Sequence, residues 1–116
     1  KQYDAYYDIG RENSEMNVID WAKEGVSLGA GEILLTCIDT EGTRKGYDTE
    51  LIRQLSCEVN VPVIASGGAG TLNHVEEAFN AGANAAAIAY GLHFNTLPIK
   101  DIKLHLLNKG IGVRPI

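Results

Sequence analysis

The loop that follows the apolar run at residues 32–38 carries two carboxylates close together. Asp39 and Glu41 are separated by a single threonine. Carboxylates just past a strand end, on the active face of a β/α fold, are suited to general acid and base roles. The spacing alone equally allows a turn with solvated acids. Arg44 and Lys45 in the same loop could attract an anionic substrate, although ordinary surface charge is the commoner role.

A second loop that could bind a ligand is rich in glycine. The segment Ser66-Gly-Gly-Ala-Gly70 follows an apolar run and precedes a helix signal at Thr71. Backbone N–H groups that are free of side-chain bulk form an anion site at a helix N-terminus, which suits phosphate. The alternative is a tight turn that merely needs positive φ. Asn73 stands where a dinucleotide fingerprint needs its last glycine, which disfavours a nicotinamide cofactor.

Metal and disulfide chemistry are disfavoured by the spacing of their usual ligands. His74, His93 and His105 show no metal-ligand spacing with one another or with cysteine. We predict that they are structural or exposed. Cys37 and Cys57 lie in apolar surroundings without a Cys-x-x-Cys pair, which predicts reduced thiols in or near the core. No cofactor is expected.

The loop with Asp39 and Glu41 and the glycine-rich loop are each expected to connect the end of a strand to the start of a helix. Residues 32–38, 63–65 and 85–90 are continuous apolar runs, typical of parallel strands that are buried on both faces. Alternation over residues 3–9 predicts a half-exposed strand, and residues 10–14 read as a polar loop.

Helices are predicted from capping residues and apolar stripes. The predicted N-caps are Asn17, Asp48 and Thr71, Pro98 is predicted at a first helical position, and the predicted stops are Gly29, Gly82 and Gly110. Strand, loop and helix in succession predict a parallel α/β architecture. Ligands of such folds gather where strands end, so the loops to search are residues 36–48, 65–71 and 89–98.

Length and composition bound the class of protein. The chain has 116 residues, of which 45% are hydrophobic and 22% charged, a balance ordinary for a folded domain. Its net charge of -5 has the wrong sign for a protein whose main partner is nucleic acid. Without a run of about 18 apolar residues or a signal-peptide core, we expect a soluble cytoplasmic protein.

A complete (β/α)₈ barrel needs roughly 250 residues, about twice the length of this chain. The chain could hold about four β/α units. The first residue is Lys1 rather than methionine, which suggests a fragment.

Several motifs together resemble the HisF family, the cyclase subunit of imidazole glycerol phosphate synthase. They are residues 29–36, 39–43, 46–48, 62–70 and 92–94, in order between about Tyr3 and Arg114. The resemblance implies that residues 1–116 form one domain, the C-terminal half of a TIM barrel, with about three β/α units after an initial strand or hairpin and helix. It also implies a lyase of histidine biosynthesis. That enzyme combines ammonia from a glutaminase partner with a phosphorylated ribulosyl carboxamide ribonucleotide. Its products are imidazole glycerol phosphate and an aminoimidazole carboxamide ribotide.

The resemblance also implies roles for individual residues. Glu41 and Asp39 would be catalytic. The residues that would bind the substrate or its phosphate are Thr36, Gly42, Ser66, Gly67, Gly68 and Ala89. Glu32, at the other end of its strand, resembles an acid in the gate through which ammonia enters the barrel.

The sequence departs from the family pattern at three places. Glu41 stands where the family often has aspartate, and Tyr90 stands where many members place a serine on the phosphate. The second catalytic aspartate of the family would lie upstream of Tyr3, so the chain alone is expected to be inactive. Two other functions stay open: a self-associating half-barrel with residual phosphate binding, and a related phosphate-binding barrel enzyme of the isomerase or amidating type.

Overall fold

The computed structural model describes residues 2–116. Strands alternate with helices along this part of the chain, except for two successive strands at its start and two successive helices at its end. The strands are β1 (Asp4–Tyr7), β2 (Glu12–Asn17), β3 (Ile33–Thr36), β4 (Val63–Ser66) and β5 (Ala85–Ala87). The helices are α1 (Val18–Ser27), α2 (Thr49–Glu58), α3 (Leu72–Asn80), α4 (Tyr90–His93) and α5 (Ile99–Asn108). Within this part of the chain, no helix has the length and apolar character needed to cross a bilayer.

Side-chain caps fix the starts of the three helices that were predicted from them. The side chain of Asn17 accepts hydrogen bonds from the backbone N–H groups of Ile19 and Asp20 at the start of α1. Asp48 caps α2 in the same way through Leu51, and Thr71 caps α3 through His74. Each cap satisfies a backbone donor that has no partner inside its helix. These three predictions are confirmed.

Strands β3, β4 and β5 form one parallel sheet in that order. Its register aligns Thr36 with Ser66, and Ser66 with Ala87. The carboxyl ends of all three strands therefore meet at one edge, where α/β folds hold their ligands. The predicted parallel α/β architecture is confirmed.

The helices bury only one face of this sheet. Leu35 and Ala65 share that face and are 7% and 0% exposed, and Leu55 of α2 and Val75 of α3 belong to the same core. Leu34, on the opposite face, is 63% exposed. The prediction that β3 is buried on both faces is therefore wrong, because the described residues supply no layer that covers the face on which Leu34 lies.

An antiparallel hairpin of β1 and β2 precedes the parallel sheet. The strand predicted to reach Ile9 ends at Tyr7, because Asp8, Ile9 and Gly10 adopt positive φ in a turn. The polar loop predicted over residues 10–14 is instead the end of this turn and the start of β2. Glycine adopts positive φ readily and aspartate does so more often than most residues, but isoleucine rarely does. The sequence therefore did not indicate that the turn includes Ile9.

The last predicted strand is also shorter than expected. It was predicted over residues 85–90 but ends at Ala87, and α4 begins at Tyr90 after the N-cap Ala89. A short apolar run does not by itself distinguish a strand from a helix. Tyr90 consequently lies on a helical turn at the carboxyl edge of the sheet.

Two smaller predictions need correction. Pro98 is the N-cap of α5 rather than its first helical residue, a difference within the usual uncertainty of helix ends. Cys57 is exposed on α2 instead of lying in or near the core, because it falls on the outer side of that helix, whereas Cys37 is half-buried. Both thiols are free.

Candidate functional site

The acid loop (residues 37–48) and the glycine loop (residues 66–70) are bonded to each other at the carboxyl edge of the sheet. The backbone N–H of Gly46 donates a hydrogen bond to the carbonyl of Gly68 at 2.8 Å. The hydroxyl of Thr40 donates to the carbonyl of Gly67 at 3.0 Å. The two loops therefore form one structural unit.

The glycine loop has no room for side chains where it meets the acid loop. Gly67 and Gly68 have φ of 92° and 112°. A Cβ on Gly68 would overlap the carbonyl oxygen of Gly46, and a Cβ on Gly67 would lie 2.8 Å from Oε2 of Glu41. Glycine is thus required at position 68 by both backbone conformation and close approach, and at position 67 chiefly by backbone conformation. The same contact places the Glu41 carboxylate directly beside the glycine loop.

A cavity of about 150 Å³ opens between these loops. We call it the phosphate cavity after the ligand that the sequence predicts for the glycine loop. Six of the predicted site residues line it: Glu41, Gly42, Ser66, Gly67, Gly68 and Ala89. The other lining residues are Arg44, Ala69, Ala87, Ile88 and Tyr90. A single water needs roughly 10–15 Å³, so a group of several heavy atoms fits the space.

The remaining predicted residues lie elsewhere. Thr36 and Asp39 line a second cavity of about 600 Å³, which we call the large cavity and which also includes Leu34. Glu41 lines both cavities and so stands at their boundary. Glu32 is exposed just before β3, at the opposite edge of the sheet. The structure thus separates Glu32, Thr36 and Asp39 from the phosphate cavity.

A contact between a cation and an aromatic ring forms part of the phosphate cavity. The guanidinium carbon of Arg44 lies 4.9 Å from the ring centroid of Tyr90, within the range of cation–π attraction. Tyr90 in turn packs against Phe94, with ring centroids 4.4 Å apart. Sequence reasoning missed this contact, because it placed Tyr90 in a strand and left Arg44 open between attraction of an anionic substrate and ordinary surface charge. No local pattern links two residues so far apart along the chain.

The three histidines lie at structural or exposed positions. Nδ1 of His74 accepts a hydrogen bond from the backbone N–H of Gly70 at 3.2 Å, which anchors the glycine loop to α3. Nε2 of His105 lies 2.7 Å from a carboxylate oxygen of Glu76, and His93 is exposed. Over residues 2–116, no group of three or more His, Cys, Asp or Glu side chains is arranged to hold a metal ion.

Tyr47 ties the acid loop to the end of β5. Its hydroxyl donates to the carbonyl of Ala87 at 3.1 Å, and its side chain is 7% exposed. Burial, and after it the negative charge of Glu41, raises the pKa of Tyr47 from 10.0 to about 12. As the pH rises, the Tyr47 hydroxyl therefore loses its proton at a lower pH in the unfolded chain than in the folded chain. The resulting stabilisation is complete below pH 10 and is lost as the pH rises through about 12.

We expect Tyr47→Phe to remove the loss of stability at high pH that is due to ionisation of the Tyr47 hydroxyl. The free energy of unfolding should then fall less steeply above pH 10, with a difference from the unmodified chain on the order of 2 kcal/mol. Urea unfolding at neutral and alkaline pH measures it. Tyr6→Phe is the matched control, since Tyr6 is 41% exposed. Identical alkaline slopes in the two variants would contradict the assignment.

Comparison with known proteins places these loops in a family. A family model described as "Histidine biosynthesis protein" matches residues 1–98. The chain belongs to this family. The matched region includes every residue that lines the phosphate cavity. Membership also agrees with the fold, since the parallel sheet corresponds to part of a barrel.

Curated relatives of this histidine biosynthesis family member are named "Imidazole glycerol phosphate synthase subunit HisF". The protein from Prochlorococcus marinus (strain NATL1A) is 47% identical over 116 residues, which are 99% of this chain and 45% of that protein. The one from Pyrobaculum aerophilum is 50% identical over 112 residues, covering 97% and 44%. The one from Synechococcus sp. (strain CC9605) is 47% identical over 118 aligned residues, covering 97% and 46%. The chain therefore spans slightly less than half the length of these relatives.

Proposed function

We propose that this chain supplies the phosphate-binding half of a cyclase like that of imidazole glycerol phosphate synthase, a lyase of histidine biosynthesis. The convergence of Glu41, Gly42, Ala89 and the glycine loop on one cavity carries the proposal. Relatives named HisF, about half identical to this chain, support it. The proposed reaction joins ammonia to a phosphorylated ribulosyl carboxamide ribonucleotide. Imidazole glycerol phosphate and an aminoimidazole carboxamide ribotide are the proposed products.

In this proposal the phosphate cavity holds one phosphate of the substrate. The glycine loop leads directly into α3, whose N-terminal dipole favours an anion. The hydroxyl of Ser66 and the backbone around Gly42 and Ala89 complete the binding surface. Anchoring one end of the substrate here would leave its reacting part beside Glu41, at the opening to the large cavity.

Glu41 is the proposed proton-transfer group, because among the described residues it alone lines both cavities. A general acid or base must reach the reacting atom within hydrogen-bond distance, and the boundary position allows that for a substrate held by its phosphate. Asp39 and Thr36 line the large cavity and are proposed to contact the rest of the substrate. A second catalytic acid is expected from units outside this sequence, so we expect this chain alone to be inactive.

The proposal includes a glutaminase subunit as the source of ammonia. Glu32 lies at the edge of the sheet opposite the phosphate cavity, a position that suits an acid at an ammonia entrance. An enzyme of amino-acid biosynthesis is expected in the cytoplasm, which we propose as the location.

Joining this chain to the upstream units of one of its HisF relatives provides the test. We expect the joined barrel to form imidazole glycerol phosphate when ammonia is supplied, and to use glutamine only when a glutaminase subunit is added. A folded joined barrel that binds inorganic phosphate but shows no ammonia-dependent turnover would contradict the proposal. Isomerase activity in its place would favour the related barrel enzyme.

A second candidate function is a self-associating half-barrel, in which another copy covers the open face of the sheet. Leu34 on that face is 63% exposed and Trp21 beside the large cavity is 47% exposed. Strands β3 and β5 each have one unpaired edge in the described sheet. Apolar strand faces and open edges favour association.

We expect the chain to sediment as a dimer or larger species at micromolar concentration. Leu34→Lys should weaken association by at least roughly tenfold, because burial of a leucine contributes about 1.5–3 kcal/mol. Leu104→Lys is the control, since Leu104 is 49% exposed on α5, which packs against α3 in the helical layer. A compact monomer of the unmodified chain would contradict self-association and leave the barrel-completing units as the cover.

A further inference from the structure

We propose that Arg44, held against Tyr90, is the cation that neutralises a phosphate group in the phosphate cavity. The inference rests on the proposed function and deepens it, because it names the source of positive charge in that site. The ligand class is a phosphomonoester or inorganic phosphate. Arg44 would bind and position this group and would take no part in proton transfer.

The charges around the cavity favour such a cation. Of the described residues that line it, Arg44 carries the only positive charge and Glu41 the only negative one. A phosphomonoester carries about -1.5 to -2 charges near neutral pH. Without Arg44 the phosphate would meet the Glu41 carboxylate, the Ser66 hydroxyl and backbone dipoles but no positive charge, and like charges at short range disfavour binding. The positive charge of Arg44 offsets this repulsion.

Arg44 is also free to take an anionic ligand. The ion pairs found among residues 2–116 use other cations, namely Lys23, Arg53, His105 and Lys109. Arg44 contacts the ring face of Tyr90. This contact is not a hydrogen bond and uses none of the N–H donors of the guanidinium. The guanidinium therefore keeps N–H donors that match phosphate oxygens in a bidentate geometry.

The backbone around Arg44 is fixed before any ligand binds. Arg44 has φ of 58°, in the left-handed region that few residues other than glycine adopt. A Cβ on Gly70 would overlap its carbonyl oxygen, so the two backbones are in close contact. Next to it, Oγ1 of Thr43 donates to the carbonyl of Thr40 at 2.8 Å and accepts from the N–H of Lys45 at 3.2 Å. Such prior ordering lowers the entropy lost on binding.

Tyr90 holds the guanidinium of Arg44 at the cavity. Its ring lines the cavity and contacts Arg44 on one side, while Phe94 supports it at 4.4 Å between centroids. The ring, and not the hydroxyl, makes both contacts. We therefore expect phenylalanine to replace Tyr90 without loss and an aliphatic residue to weaken the site.

Calorimetric titration of inorganic phosphate onto this chain tests the assignment. Arg44→Met removes the charge and keeps the length of the side chain, and it should weaken phosphate binding roughly tenfold or more, the scale of a lost hydrogen bond to a charged group. Lys45→Met is the matched control, because it removes the same charge from the neighbouring residue, which does not line the cavity. It should change the affinity by no more than about twofold, as expected for a screened surface charge.

A pair of variants at Tyr90 separates the ring from the hydroxyl. Tyr90→Phe should keep the affinity within about twofold, whereas Tyr90→Leu should weaken it roughly two- to fivefold, the scale of an exposed cation–π contact. Circular dichroism should show that all variants are folded. Equal affinity of the unmodified chain and Arg44→Met overturns the assignment, as does an equal loss in Lys45→Met. Absence of phosphate binding by the unmodified chain also overturns it.

The turnover assay on the joined barrel distinguishes this failure from failure of the proposed function. Ammonia-dependent turnover with a KM that is unchanged in Arg44→Met overturns the role of Arg44 and leaves the cyclase assignment standing. Phosphate binding that depends on Arg44, without turnover in the joined barrel, overturns the cyclase assignment and supports the role of Arg44.

Discussion

Glu41→Gln is expected to lower ammonia-dependent turnover of the joined barrel by roughly a hundredfold or more, the usual scale for loss of a general acid or base. Glutamine keeps the shape of the side chain and its contact beside Gly67, but it does not exchange a proton near neutral pH. The turnover number at saturating ammonia and substrate measures the effect. The phosphate cavity is retained in this variant, so KM should change little.

The same substitution should act in the opposite direction on phosphate affinity. Glu41 provides the only negative charge among the described residues that line the phosphate cavity. Removing that charge lowers the repulsion of a bound anion, so Glu41→Gln should bind inorganic phosphate as tightly as the unmodified chain or more tightly. A catalytic role predicts slower turnover with unimpaired binding. General damage to the site predicts a loss of both.

Two further carboxylate variants complete this test. Glu41→Asp keeps the negative charge and should retain more turnover than Glu41→Gln, although the shift by one methylene makes full activity unexpected. Asp39→Asn probes the large cavity, where Asp39 lies apart from the phosphate cavity. Normal turnover in Glu41→Gln would show that the catalytic assignment is wrong, and Asp39 would then be the next candidate.

The sequence predicted those parts of the fold that depend on near neighbours. Asn17, Asp48 and Thr71 each cap a helix through a hydrogen bond to a backbone N–H two or three residues later, so the capping pattern is visible in a short window. The exposed face of β3 was not predictable in this way. The apolar run that includes Leu34 indicates a strand with two apolar faces, but it does not indicate which part of a protein covers each face.

The candidate site shows the same division. The acid loop and the glycine loop were predicted because each directly follows an apolar strand. Their arrangement depends on contacts between distant residues, such as the hydrogen bond from Thr40 to Gly67, which are 27 positions apart. The contact between Arg44 and Tyr90 is of the same kind, and Thr36 and Asp39 line a different cavity from the glycine loop. No local pattern in the sequence contains that information.

Gly68→Ala is expected to lower the free energy of unfolding by about 3 kcal/mol or more, because two unfavourable terms add. Alanine is strained at φ of 112°, and its Cβ would overlap the carbonyl oxygen of Gly46. That carbonyl belongs to the backbone, so it cannot turn away as a flexible side chain would. The acid loop and the glycine loop would have to separate, and phosphate affinity should be lost with them.

Gly29→Ala provides a matched control for the backbone term alone. Gly29 has φ of 108°, close to that of Gly68, but a Cβ there would meet no atom within 4 Å. We expect it to lower the free energy of unfolding by only about 1–2 kcal/mol and to leave phosphate affinity unchanged. Urea unfolding and phosphate calorimetry on both variants separate the two terms. Equal destabilisation by both substitutions would show that backbone strain accounts for the whole effect, and that close approach of the two loops does not hold the site together.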